Sequence, residues 1–181
     1  MVRLNRIYTR TGDAGTTGLV DGSRVSKADP IPVAMGDVDE ANACVGLAIP
    51  HVVPEFATAL GLVQNELFDL GADLATPPGI DGALRIVPAQ AARLEAAIDA
   101  LNADLAPLTS FVLPAGGNGA AELHLARTVV RRAERSMVAA GSGVSAPALA
   151  YINRLSDYLF VAARWVNRKR GEVLWQPGAT R

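Results

Sequence analysis

The chain has 181 residues, 50% of them hydrophobic, 19% charged and 5% aromatic, with a formal net charge of −1 at pH 7. That length suits one domain (residues 1–181) with a core of its own, and the composition argues against disorder and for helices rather than a β-sandwich. A charge this close to zero gives no electrostatic reason to expect nucleic acid or an acidic membrane as partner, so any anion recognition must be local.

In chain order, the N-terminal hexapeptide Met1–Arg6 leads into no apolar signal region, and no later apolar run approaches a membrane span; a cytoplasmic protein is expected. Residues 1–28 do not read as helix. Between Arg6 and Ser23 lie four glycines and four threonines, with basic Arg6, Arg10 and Arg24 close by and Lys27 following. Glycine permits close backbone approach, successive N–H groups in such turns can cradle an anion, and threonine hydroxyls add short donors. The spacing is neither that of a Walker A loop nor Gly-x-Gly-x-x-Gly, so as a generic motif it stays weak.

Asp29-Pro30 reads as a helix opening with Asp29 as cap, and Ile31, Ala34, Met35, Val38, Ala41, Val45 and Ala48 then recur at helical spacing up to Pro50. Asp37, Asp39 and Glu40 ride on this helix, either as a solvated face or with one of them reaching an arginine of a neighbouring helix or subunit. Cys44 is the only cysteine, which excludes an internal disulfide and a thiolate zinc cluster; its Ala/Val/Gly context indicates a buried, inert thiol. A second helix runs from Pro54 to Ala75, residues 76–87 read as an exposed loop, and a third helix opens at Pro88 and ends before Pro107. Residues 110–118 form an extended apolar segment turned by proline and glycine, with Asn118 placed to cap a fourth helix that runs to about Ala140.

On that fourth helix Arg127, Arg131, Glu134 and Arg135 fall at i, i+4, i+7 and i+8, and His124 extends the same stripe. Forked guanidiniums in a row suit phosphate or carboxylate oxygens; the alternative is a solvated face with an internal Glu134–Arg131 pair. Residues 141–145 link to a fifth helix opened by Ser145 and Pro147, on which Asn153 and Asp157 share a face and Arg154 can pair with Asp157. The tail, residues 169–181, reads as irregular. The fold expected is therefore all-α: a five-helix up-and-down bundle (residues 29–168) with an irregular N-terminal phosphate-binding arm (1–28). A di-iron carboxylate site is set aside, because neither His51 nor His124 has a glutamate three residues before it. No Ser-His-Asp or Cys-His arrangement stands out. A lone carboxylate, Glu134, fits Mg²⁺, which keeps most of its waters, so residue chemistry alone leads to a helical bundle that binds a nucleotide-like polyanion.

Six motifs carry a resemblance beyond this. They are Tyr8-Thr-Arg-Thr-Gly-Asp-Ala-Gly-Thr-Thr-Gly18, Asp39-Glu-Ala-Asn42, Gln64-Asn-Glu-Leu-Phe-Asp-Leu-Gly-Ala-Asp-Leu74, Phe111-Val-Leu-Pro114, His124-Leu-Ala-Arg-Thr-Val-Val-Arg-Arg-Ala-Glu-Arg135 and Tyr151-Ile-Asn-Arg-Leu-Ser-Asp-Tyr-Leu-Phe160. In this order, between Ile7 and Trp175, they resemble the PduO-type ATP:cob(I)alamin adenosyltransferases. The resemblance implies a homotrimer of five-helix bundles with ATP and the corrinoid bound where subunits meet. It implies attack of Co(I) on C5′ of ATP with release of triphosphate, so that the protein is left to supply positioning and charge neutralisation. By motif, Thr9, Arg10, Thr11, Gly12, Asp13, Gly15, Thr17 and Gly18 would wrap the triphosphate, with Lys27 pairing a phosphate. Arg131 and Arg135 would complete the clamp, Glu134 would sit near ATP and Mg²⁺, and Asn153 would bond to the nucleotide. Arg131 would stabilise charge on the leaving triphosphate. Asp39 and Arg127 match a pair that links neighbouring subunits beside the corrinoid, and Phe111 matches the aromatic that blocks the lower face of cobalt. Trp175 is a candidate for the C-terminal cover over the corrinoid.

The chain departs from the family where Ala115 precedes Gly116-Gly117, which would shift the turn beside Phe111. A Co(II) reductase and an adenosylcobalamin-dependent enzyme are the partners implied. Two other classes compete: a carrier that binds ATP or adenosylcobalamin without turnover, and a purely structural bundle, which would not explain the Gly/Thr loop and the arginine stripe together.

Overall fold

The computed structural model describes residues 7–181; the N-terminal hexapeptide, with Arg6, lies outside the described residues. Five helices make up most of it: α1 (Pro30–Ala48), α2 (Pro54–Leu74), α3 (Pro88–Asn102), α4 (Ala120–Ala140) and α5 (Ala146–Asn167). Packing neighbours run α2, α1, α4, α5, α3, so that α4 lies between α1 and α5. Alanines at seven-residue spacing on α1 (Ala34, Ala41, Ala48) and α4 (Ala126, Ala133) are fully buried, and side chains this small let two helix backbones approach closely. Larger residues fill the rest of the core, among them Leu60, Leu67, Leu94, Leu123, Met137, Ile152, Leu155 and Leu159. The all-α bundle expected from the periodicity is the fold.

Buried acids tie the helices where apolar packing alone would not set their register. Glu66 on α2 accepts from both Arg93 on α3 and the Tyr151 hydroxyl on α5, the latter at 2.9 Å. Burial, followed by the Glu66 charge, pushes the Tyr151 phenol far above its ordinary value, so it donates and stays neutral.

Several local expectations are corrected. The N-terminal arm is not irregular throughout: β1 (Thr16–Gly18) and β2 (Arg24–Ser26) pair antiparallel, with Thr17 opposite Val25. Asp29 occupies the cap position of α1 without a side-chain cap bond, and its carboxylate accepts instead from the Ser26 N–H at 3.1 Å. The third helical residue is Pro32, which has no N–H to offer a capping carboxylate. Asn118 is not the cap of α4. Gly119 is, with φ +84°, because a side chain there would meet Val52 Cγ1 at 2.7 Å and displace the α1–α2 turn. Ser145 does cap α5, accepting from the Ala148 N–H.

The 76–87 loop is pinned rather than free. Asp73, 2% exposed, accepts from Arg85 Nη1 at 2.8 Å and the Ile86 N–H at 2.9 Å, and Arg85 also holds the Thr76 and Pro77 carbonyls. The tail is equally ordered by pairing: Val112 and Leu174 form an antiparallel bridge.

Candidate functional site

The exposed face of α4 is richer in cations than its neighbours can neutralise. Arg131 is exposed, and no described carboxylate lies within ion-pair distance of it. One turn earlier, Arg127 is half-buried; its Nε has no hydrogen-bond partner, and its guanidinium stands over the Phe160 ring at 6.0 Å. Burial first, and Arg131 second, lower its affinity for its proton. Two guanidiniums that destabilise each other, one partly desolvated, make a site whose missing component is an anion. Arg135 reaches back to the Arg131 carbonyl at 2.9 Å, which aligns it on the same face.

Glu134 does not pair with Arg131. Its Oε1 accepts from Asn153 Nδ2 at 2.8 Å, across the α4–α5 seam, and its other oxygen has no partner among the described residues. The bond joins the two motif residues and leaves one carboxylate oxygen for a ligand. His124 departs from the expected stripe: it is 3% exposed, its ring lies 6.2 Å from Phe160, and Nδ1 has no partner. Burial, then the Arg127 charge, depress its pKa, so it is a neutral core histidine at pH 7.

The acids of α1 divide in two. Asp37 and Glu40 both pair with Arg132 of α4, and Asp37 also accepts from the Ser136 hydroxyl. Asp39 points elsewhere, exposed, with no hydrogen bond or ion pair among the described residues. Asp39 and Arg127 are therefore both without an ionic partner among the described residues.

The Gly/Thr loop is built by the hairpin. A Cβ on Gly12 would lie 3.1 Å from Lys27 Nζ, so the ammonium sits directly against bare backbone. The Lys27 N–H donates to the Gly15 carbonyl at 2.9 Å, and Gly15 has φ +80°. Thr9 and Thr11 share a hydroxyl hydrogen bond, and Arg10, with φ +63°, stacks over Tyr8. Asp13 lies in the turn that follows them, and Thr17 and Gly18 belong to β1. Arg24, one of the basic residues flanking the loop, braces it from behind. Its guanidinium binds the Thr11 and Thr16 carbonyls at 2.7 and 3.1 Å and the Thr16 hydroxyl at 2.7 Å. No hydrogen bond or ion pair between described residues joins this loop to the α4 face.

Phe111 is 76% exposed and its ring lies beside that of Trp175, itself 46% exposed, with centroids 6.0 Å apart. Exposing two large aromatics is unfavourable for a chain on its own, and such a patch marks a binding surface. Ala115 follows the paired segment, its N–H donating to the Leu113 carbonyl at 2.8 Å, and the chain then turns at Gly116 (φ +133°).

Polar residues that order the loops around the site, and that periodicity does not reveal, are Arg24, Arg164, Asn167 and Glu172. The one signal for Arg164 is a charge inside the apolar run Val161-Ala-Ala-Arg-Trp-Val166, where a solvated arginine has no reason to be.

Comparison with known proteins is consistent along the whole chain. The family model described as cobalamin adenosyltransferase matches residues 7–166. The corrinoid adenosyltransferase of Mycobacterium tuberculosis is 52% identical over 189 residues, covering 99% of this chain and 97% of that protein. The cobalamin adenosyltransferase of Cupriavidus metallidurans is 47% identical over 180 residues, with 96% of each covered. Among solved structures, a phenylalanine-to-alanine variant of the PduO-type ATP:corrinoid adenosyltransferase of Lactobacillus reuteri, complexed with cobalamin and ATP, superposes with a TM-score of 0.88 at 34% identity, covering 94% of this chain and 99% of that one. An arginine-to-lysine variant of the same protein complexed with ATP gives a TM-score of 0.86 at 36% identity, covering 94% and 100%.

Proposed function

This chain belongs to the cobalamin adenosyltransferase family, and from that premise we propose how its own residues carry out the transfer. It is a corrinoid adenosyltransferase: the 5′-deoxyadenosyl group of ATP passes to Co(I) of cobalamin. Co(I) supplies the electron pair for the new Co–C5′ bond, the C5′–O bond breaks, and triphosphate leaves with its electrons. The nucleophile belongs to the substrate, so the protein must hold C5′ in line with cobalt and neutralise the departing charge.

The observation that carries the reading is the uncompensated cationic face of α4. Arg131 is exposed with no ionic partner among the described residues, beside Arg127, whose Nε is buried without a hydrogen bond. Arg131 and Arg135 clamp the triphosphate from the helix side. Lys27, Thr9, Arg10, Thr11, Gly12, Asp13, Gly15, Thr17 and Gly18 wrap it from the hairpin loop, which Arg24 keeps open. Asn153 orients the nucleotide and holds Glu134. The free oxygen of Glu134 suits Mg²⁺, because a single carboxylate is enough for an ion that arrives with phosphate and keeps its waters; among the described residues no cluster of three or more metal-binding side chains offers a fuller cage. When bound, Mg²⁺ would share in neutralising the triphosphate.

Asp39 and Arg127 pair across subunits of a homotrimer, a reading supported by the lack of an ionic partner for either among the described residues. Phe111, with Trp175 behind it, occupies the lower face of the corrinoid, where an apolar ring excludes a fifth cobalt ligand. A cytoplasmic location belongs to the same proposal, and the buried free thiol of Cys44 suits a reducing compartment. A Co(II) reductase then supplies the substrate, and an adenosylcobalamin-dependent enzyme takes the product.

The test is formation of adenosylcobalamin, followed by absorbance, from ATP, Mg²⁺ and chemically reduced cob(I)alamin under anaerobic conditions. Multiple turnovers with stoichiometric triphosphate are expected; ATP binding without turnover would leave a carrier.

A further inference from the structure

The C-terminal end of α5 turns two polar side chains inward. Arg164 and Asn167 are each only 6% exposed. Arg164 Nε donates to Glu172 Oε1 at 2.7 Å, and its Nη2 reaches Glu172 Oε2 at 3.3 Å and the Ala106 carbonyl at 2.8 Å. Asn167 Nδ2 donates to the Gly171 carbonyl at 2.7 Å while its Oδ1 accepts from the Gly117 N–H at 3.3 Å. Every partner lies on one of two segments: the connection that enters and leaves Phe111, held at Ala106 and Gly117, and the tail, held at Gly171 and Glu172.

Those two segments then zip together around Phe111. The Leu113 N–H donates to the Val173 carbonyl at 2.9 Å and the Trp175 N–H to the Phe111 carbonyl at 2.7 Å, while the Ser110 hydroxyl donates to the Trp175 carbonyl at 2.7 Å. The loop is pressed against the helix end: a Cβ on Gly116 would lie 2.9 Å from Asn167 Oδ1, and one on Gly117 only 2.5 Å from Arg170 Nη1. Apolar burial contributes little here, since Phe111 and Val173 are largely exposed and Trp175 nearly half so. An apolar side chain fixes its own position by packing; Phe111 is 76% exposed, with Trp175 as its aromatic neighbour, so its place is set chiefly by the backbone beneath it. That backbone is fastened by one buried ion pair and one buried amide. A buried ion pair is a costly way to gain stability, and its better use is to select one arrangement.

We propose that Arg164 and Asn167 are positioning residues for the adenosyl transfer: through Glu172 and Gly171 they hold the tail strand, and through Ala106 and Gly117 the Phe111 connection, so that the Phe111 ring stands at a fixed height under the corrinoid. The inference rests on the reading of Phe111 as the group that excludes the lower cobalt ligand. It makes the end of α5, which is outside the nucleotide clamp, a determinant of cobalt coordination.

The experiment uses the full-length protein with Arg164→Lys, which keeps the charge but loses the fork, and Glu172→Gln, which keeps the shape but loses the charge. Wild type and Phe111→Ala run beside them. Two readouts are taken with ATP bound: steady-state kcat and KM for each substrate, and the absorption spectrum of bound Co(II)alamin, which reports the fraction lacking a lower ligand. Both variants should lose that fraction and about tenfold or more in kcat, the size expected when a reacting group is slightly misplaced, with KM for ATP unchanged. Adding Phe111→Ala to Arg164→Lys should cost little more than Phe111→Ala alone, because both act through one ring. Should Arg164→Lys fail to fold, Glu172→Gln carries the same prediction. A wild-type spectrum and kcat in the variants, with only a lower melting temperature, would overturn the proposal, as would losses that simply multiply in the double variant. If wild type itself forms no adenosylcobalamin, the functional reading falls and this one with it; if wild type turns over and the variants match it, this inference falls alone.

Discussion

At the scale of single residues, charge without compensation marks the site. A surface helix ordinarily neutralises its arginines, as Arg132 does with Asp37 and Glu40 one residue away from Arg131. Arg127 and Arg131 depart from that, and the Arg127 Nε is both buried and unpaired. His124, beneath them, gives a prediction about pH. Its folded pKa lies below the ordinary 6.5, mainly through burial and then through Arg127. Protonation therefore favours the unfolded chain: the stability due to the neutral ring is present above about pH 6.5 and is lost as pH falls toward the folded pKa. Melting temperatures between pH 7.5 and 5.5 should fall more steeply for wild type than for His124→Gln, and parallel curves would show that His124 does not couple to stability. Which arginines lack partners was only half legible in the sequence. Spacing placed Arg127, Arg131, Glu134 and Arg135 on one face, as found. Spacing also put His124 on that face, whereas its ring lies in the core, because a stripe one residue wide does not distinguish the rim of a helix face from its buried edge.

At the scale of elements, the five helices were legible because apolar residues recur at helical spacing and prolines stand at the starts of four of them, α4 being the exception. Their connections were not, because what fixes them is long-range and polar. Residues 76–87 have the composition of a free loop, but Asp73 reaches across to Arg85 and the Ile86 N–H. Removing the guanidinium leaves a buried carboxylate unpaired, so Arg85→Met should destabilise the chain by about 3 kcal/mol in denaturant unfolding; a change near zero would show that the loop is anchored by something else. The tail, residues 169–181, misleads for the same reason, since its order comes from Arg164, Asn167 and strand pairing with Phe111. On α1 and α4 the alanines at seven-residue spacing set the interhelical distance. Ala41→Leu should cost about 1–3 kcal/mol by overpacking, and with Asp37 and Glu40 on the same helix it should disturb their pairing with Arg132 as well.

At the scale of the whole molecule, the parts of the proposed site are not joined to one another. Among the described residues the hairpin loop has no hydrogen bond or ion pair to the α4 face, and neither Asp39 nor Arg127 has an ionic partner. A symmetric assembly brings different patches of identical chains together, which would complete the site between subunits. Chains carrying Asp39→Ala and Arg127→Ala should each be impaired, and mixing the two after dissociation should return activity, since an intact pair then forms at some junctions. No recovery on mixing would place the pair within one chain or remove it from the mechanism. The resemblance in the sequence named these residues, and the geometry adds that neither finds an ionic partner among the described residues.

In the proposed mechanism the α4 arginine face acts on the leaving triphosphate, and not merely on bound ATP. The most direct measurement is kcat for Arg131→Ala at saturating ATP, Mg²⁺ and cob(I)alamin, beside its KM for ATP. Charge that develops only as the C5′–O bond breaks predicts a fall in kcat of about 10²–10³, larger than any rise in KM. An unchanged kcat with a raised KM for ATP would contradict that mechanism and reduce Arg131 to a ground-state binding residue.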